Sequence, residues 1–94
     1  MDLLEVTSYG WYSSGNYGVH CLTFLDAYNN RYWFSYNTLV AFRIKGEFHI
    51  RQNVWGPTTG KHLNWIDRRT KREDSDTFFK NYERLTGKPC EYAV

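Results

Sequence analysis

The sequence predicts an α+β domain: an antiparallel sheet of four to five strands, with one or two C-terminal helices packed on one face. Three observations predict it. Short runs rich in β-branched and aromatic residues, divided by turn residues, occupy roughly the first half of the chain. Apolar residues then recur at three- and four-residue spacing near the C-terminus, the stripe of an amphipathic helix. Strands followed by helices, rather than alternating with them, argue α+β. The 94 residues suit a single domain over residues 1–94.

Residues 3–8 read as a first strand. Residues 9–18 follow with three glycines, two serines and an asparagine, which supply loop conformations, but also with Tyr9, Trp11, Tyr12 and Tyr17. Residues 19–26 form a mostly apolar strand whose weak alternation suggests cover on both faces. Asn29 and Asn30 make a turn, because Asn tolerates left-handed geometry. Residues 31–36 are an aromatic strand. From residue 39 to 45, Val40, Phe42 and Ile44 alternate with Ala41, Arg43 and Lys45. A turn at Lys45-Gly46 leads to residues 47–53, with Phe48 and Ile50 inward and His49 and Arg51 outward. This pairing places Arg43, His49 and Arg51 on one sheet face. Trp55-Gly56-Pro57 ends the sheet, and Thr58 or Thr59 caps a helix running through Lys61, His62, Leu63, Asn64 and Ile66. Ser75 or Asp76 caps a second helix. Its stripe is Phe78, Phe79, Tyr82 and Leu85, and Gly87 and Pro89 mark its end.

Aromatic residues make up 19 % of the chain. A core this small cannot hide them all, so some lie partly exposed, where Tyr and Trp favour interfaces. Net charge is only +2, but it is unevenly spread. Residues 1–30 carry three acids and no Lys or Arg, whereas residues 31–72 carry nine cations against Glu47 and Asp67. A basic middle between acidic ends marks a binding face. Its densest part is Arg68, Arg69, Lys71 and Arg72. That run suits phosphates or an acidic protein surface, or is a solvated link balanced by Glu73, Asp74 and Asp76.

Familiar chemistry is missing. Gly56-Pro57-Thr58-Thr59-Gly60-Lys61-His62 has the wrong spacing for a phosphate-binding loop, and His62 stands where Ser or Thr is required. His20, His49 and His62 have no metal-ligand spacing, and Cys21 and Cys90 form no CxxC pair. Cys21 reads as a free core thiol. No acid–base pair of carboxylates stands out, so no catalytic residue, metal or cofactor is implied. The acidic start has no leader pattern, and no run is long enough to span a bilayer.

Three strings, residues 14–20, 34–43 and 53–64, together resemble a family of small uncharacterised proteins encoded by bacteriophages and other bacterial mobile elements. The resemblance extends over residues 9–67. It implies a protein of the bacterial host cytoplasm and supplies no activity or site residue. Small phage accessory proteins often bind and block host machinery, CRISPR effectors included. The resemblance therefore implies an inhibitor of a host protein or nucleoprotein complex; the exposed-aromatic and charge arguments make Trp11, Tyr12, Tyr17, Arg68, Arg69, Lys71 and Arg72 its expected contacts. The alternative is a nucleic-acid-binding accessory protein, in which Arg43, Arg51 and Lys61 join the basic run in tracking phosphates while aromatics stack on bases. Self-association through an edge strand stays open.

Overall fold

The computed structural model describes residues 3–10 and 20–90. Five strands, β1 (Leu3–Ser8), β2 (Leu22–Asp26), β3 (Arg31–Ser35), β4 (Thr38–Ile44) and β5 (Glu47–Ile50), precede two helices, α1 (Pro57–Ile66) and α2 (Ser75–Thr86). The strands form one antiparallel sheet in the order β1-β2-β3-β4-β5. The α+β expectation therefore holds, with each strand beside its neighbour in sequence.

Turn chemistry fixes the register. Between β2 and β3, the Asp26 carboxylate accepts the amides of Tyr28 (2.9 Å) and Asn30 (3.0 Å) and the Tyr32 hydroxyl (3.0 Å), while Asn29 takes φ 64°. Burial disfavours charge on Asp26, but these hydrogen bonds together outweigh it and hold the carboxyl below its ordinary range. Tyr32 moves the opposite way, raised by burial and then by its bond to Asp26. Between β4 and β5, Lys45 (φ 54°) and Gly46 (φ 80°) both adopt positive φ, as a two-residue hairpin of this hand requires. The turn pairs Ile44 with Glu47, hence Arg43 with Phe48 and Phe42 with His49. Paired residues share a face, so Arg43 lies with Phe48, while His49 and Arg51 lie with Phe42. The expected single row of Arg43, His49 and Arg51 is thus corrected: Arg43 is on the other side of the sheet.

A second correction comes from a bulge in β4. Trp33 pairs with Ala41 and Phe34 with Leu39, which leaves Val40 as an extra residue. Val40 and Ala41 both join the cluster containing Ile50 and Leu63; Leu39 joins Phe42, Ile44 and Phe78 on the opposite face. The expected alternation of Val40 with Phe42 and Ile44 fails at this point. Its gain is two apolar layers from one central strand.

Each layer has its own helix. Phe78 and Leu85 of α2 are buried with Tyr32, Phe34, Leu39, Phe42 and Ile44, and Phe79 and Tyr82 pack against them. The expected aromatic stripe is therefore the packing face. Leu63 of α1 is buried with Val40, Ala41 and Ile50, and Ile66 packs beside it. The expectation that C-terminal helices pack on one face is met by α2; α1 covers the other.

Details at the element ends also differ. Among the described residues β2 begins at Leu22, so His20 and Cys21 precede it instead of alternating along it, although Cys21 is fully buried as expected. Within β2, Thr23 and Asp26 are buried, whereas Leu22, Phe24 and Leu25 are half-buried. Helix α1 starts at Pro57 behind an N-cap Gly56, where proline's missing N–H costs nothing. The cap of α2 is Asp74, which accepts the Thr77 amide at 2.8 Å; Gly87 closes the helix at φ 75°. Residues 51–52 pair with Glu73 along the β5 edge, through Gln52 N–H to Glu73 O (2.8 Å) and Glu73 N–H to Ile50 O (2.9 Å).

Candidate interaction surface

Helix α1 covers only part of its sheet face. Its buried residues Thr59, His62 and Leu63 lie over Ser35, Val40, Ala41 and Ile50. Towards the turn end of the same face the sheet opens: Arg43 is exposed and Arg31, Trp33 and Phe48 are half-buried. Trp33 meets Phe48 edge to face, with centroids 5.5 Å apart. The Arg43 guanidinium lies 5.4 Å from the Phe48 ring centre and 6.0 Å from that of Trp33. These distances suit cation–π attraction. The side chain at the crossing point between Trp33 and Ile50 is only Ala41, which leaves room for the two large rings to lean together. Arg31, paired opposite Arg43, is held by Glu5 (3.2 Å) and Thr23 (3.2 Å).

The basic run lies in the link between α1 and α2. Asp67 organises residues 67–70 by accepting the amides of Arg69 (2.9 Å) and Thr70 (3.2 Å) and the Thr70 hydroxyl. The Thr70 hydroxyl, then the Arg69 amide, depress the Asp67 pKa. Arg72 is drawn inward, donating to Asp67 O (2.8 Å) and Asn64 Oδ1 (3.3 Å), and burial lowers its pKa. This turn displays Arg68, Arg69 and Lys71, all exposed. None of the three makes a salt bridge among the described residues.

The acids that follow are held elsewhere. Glu73 contacts His49 Nδ1 at 2.5 Å and accepts the Asn81 amide at 2.8 Å, and Asp74 caps α2. Neither acid forms an ion pair with Arg68, Arg69 or Lys71. At the β5 edge a groove of about 590 Å³ is lined by Phe48, His49, Lys71, Arg72, Glu73 and Thr77, so Phe48 and the end of the basic run reach the same edge of the sheet.

Of the other sequence-derived site residues, Lys61 is exposed on α1. Trp11, Tyr12 and Tyr17 lie outside the described residues. Arg51 is corrected: it is 1 % exposed and packed among Trp55, Phe78 and Phe79, so no phosphate reaches it. The residues not singled out from the sequence are Trp33 and Phe48. Their signal was the two-residue turn at Lys45-Gly46, which by itself sets Phe48 beside Arg43. Tyr28 (86 % exposed), Tyr36 (50 %) and Trp55 (40 %) bear out the expectation that some aromatics stay outside the core.

Two polar clusters serve the fold. His49 joins Glu47 of the same strand (2.9 Å) and Glu73 ahead of α2, and Arg84 of α2 also reaches Glu47. His62, fully buried, meets Ser35 Oγ through Nδ1 at 2.7 Å, and Ser35 Oγ lies 3.1 Å from Thr59 Oγ1. Tyr9, Tyr36 and Trp65 surround the imidazole. With Ser35 only 2 % exposed, this serine–histidine pair is closed to a substrate.

Burial, then the charges of His20 and Lys61, push the His62 pKa below its ordinary 6.5. Its stabilisation is fully present above pH 6.5. It is lost as pH falls below that value, because the unfolded chain takes up a proton that the folded chain refuses. The urea midpoint is therefore expected to drop between pH 7.5 and 5.5. His62→Gln, compared over the same range, is expected to flatten that slope; an unchanged slope would assign the proton elsewhere.

The chain belongs to a family of unknown function, DUF8033, whose model matches residues 11–81. No curated protein and no solved structure gives a match. Among the described residues no helix is long and apolar enough to cross a membrane, and no cluster of His, Cys, Asp or Glu could hold a metal ion.

Proposed function

For this member of a family of unknown function, we propose a role as a non-catalytic accessory protein of a bacteriophage or mobile element. It acts in the bacterial cytoplasm by binding, and so inhibiting, a host defence complex or other host machinery, in the manner of an anti-CRISPR protein. The observation that carries this reading is the display of Arg68, Arg69 and Lys71, which make no ion pair among the described residues, on a molecule that also leaves aromatic rings half-exposed. Unpaired surface cations repel one another and add little to folding, whereas across an interface they steer and anchor an acidic partner. Arginine and aromatic residues also dominate interface energetics. The contact set is then Arg68, Arg69, Lys71 and Arg72, with Trp11, Tyr12 and Tyr17.

A tagged pull-down from host lysate, run with and without nuclease, tests the reading. One host protein retained after nuclease is the expected result. The combined change Arg68→Ala, Arg69→Ala and Lys71→Ala is expected to weaken retention at least roughly ten-fold while far-UV circular dichroism stays constant. Full retention by this folded variant would remove the basic run from the interface. The second reading, direct binding of nucleic acid, is favoured by a different observation: the stacking of Arg43 over Trp33 and Phe48.

A further inference from the structure

We propose that the open half of the α1-side sheet face is a binding platform for single-stranded nucleic acid. Trp33 and Phe48 take the bases, and Arg43, Lys71, Arg68 and Arg69 take the phosphates. The proposal deepens the second reading above and rests on this protein acting by macromolecular binding.

A single strand has two chemical features to recognise: flat, apolar base faces and a regular row of anions. The platform offers a partner for each. Trp33 on β3 and Phe48 on β5 flank β4 and lie two positions apart along it, opposite Ala41 and Arg43, so their side chains emerge roughly 12 Å apart at the backbone. They converge to centroids 5.5 Å apart with planes at 87°. One ring thus presents a face where the other presents an edge, and the pair is only half covered. A base stacks on an aromatic face, and the Arg43 guanidinium beside the rings meets the phosphate that follows it.

Charge selects the same occupant. Arg43 is exposed and has no salt bridge among the described residues, as with Arg68, Arg69 and Lys71. The acids nearby are already held: Glu5 by Arg31, Glu73 by His49 and Asn81, Asp74 at the cap of α2. Lys71 and Phe48 line the same groove at the β5 edge, which puts one cation of the run within the reach of a strand that crosses the rings. A duplex keeps its base faces stacked inside and could use only the cations. An acidic protein surface would use the cations and leave the rings without a flat partner. The combination of rings and unpaired cations therefore favours a single strand.

The test is fluorescence anisotropy with labelled oligothymidylate, oligouridylate and a hairpin duplex, on the full chain. Both single strands are expected to bind, the duplex far more weakly, and binding is expected to quench tryptophan fluorescence. Trp33→Leu and Phe48→Leu keep apolar volume and are each expected to weaken single-strand binding roughly ten-fold. Arg43→Gln is expected to lower the slope of log affinity against log salt by about 1. The two single-strand arms separate a DNA site from an RNA site. Equal duplex binding, insensitivity to both leucine changes, or no oligonucleotide binding overturns the platform. If a host protein still survives nuclease in the pull-down, only the platform has failed; if neither a protein nor a nucleic acid is captured, the binding role itself has failed.

Discussion

Phe42→Ala is expected to lower folding stability by about 3–5 kcal/mol, the usual cost of deleting a buried aromatic ring. Phe42 is fully buried near the centre of the sheet. Its ring meets Phe78 at 4.9 Å, His49 at 5.2 Å and Tyr82 at 5.6 Å. The change therefore loosens α2 and the hairpin together, and the space it leaves is ringed by aromatics too stiff to collapse into it. A domain of this size has a total stability of roughly 5–15 kcal/mol, so the variant sits at or near the folding threshold. Phe42→Leu retains most of the volume and is expected to cost under about 2 kcal/mol. Urea denaturation followed by near-UV circular dichroism measures both. A loss below about 1 kcal/mol for the alanine variant would mean that α2 does not pack over Phe42.

The same residue shows what was legible in the sequence. The existence and order of β1 to β5, and the stripe of α2, follow from periodicity and turn residues, because each depends on local chemistry. Faces are harder, since one extra residue reverses them. Arithmetic at the Lys45-Gly46 turn was enough to put Arg43 beside Phe48: a two-residue loop pairs 44 with 47, then 43 with 48. That signal was present and would have exposed the platform. The bulge at Val40 left a weaker trace. The unbroken run Leu39-Val40-Ala41-Phe42 is what a strand covered on both faces looks like, and it also foretells a helix on each side. No local pattern says where the count slips; the slip is set by the need to place both Leu39 and Phe42 under α2.

The candidate surface was legible in parts. Arg68, Arg69 and Lys71 form a visible run, but their availability depends on where Glu73 and Asp74 point. Sequence adjacency suggested neutralisation. Instead Glu73 is drawn off by His49, 24 residues away in the chain, and Asp74 by the first amides of α2. Trp33 reads as one more aromatic strand residue until Ala41 and Phe48 are placed beside it.

Arg51 yields the last prediction, because a strand arginine in a basic segment reads as surface charge and proves to be core. Its guanidinium lies 4.6 Å from the Trp55 ring centre, 4.7 Å from Phe79 and 5.6 Å from Phe78. It donates to Leu39 O at 3.3 Å and to Ser75 Oγ at 2.5 Å. Burial lowers its pKa, with Cys90 acting weakly in the opposite direction. A guanidinium tolerates this position better than an ammonium would, since it is planar, weakly hydrated and stacks on aromatic faces. Arg51→Ala is expected to cost about 2–5 kcal/mol, from the cavity left among the three rings and the loss of the bonds to Leu39 O and Ser75 Oγ. Arg51→Met fills much of the volume and removes the charge that burial penalises, so it is expected to cost clearly less. Equal losses for the two variants would instead assign the stabilisation to the donated hydrogen bonds. Because no phosphate reaches the buried guanidinium, Arg51→Met is also expected to leave the salt slope of oligonucleotide binding unchanged where Arg43→Gln lowers it by about 1. That contrast separates a core arginine from a surface one within a single pair of titrations.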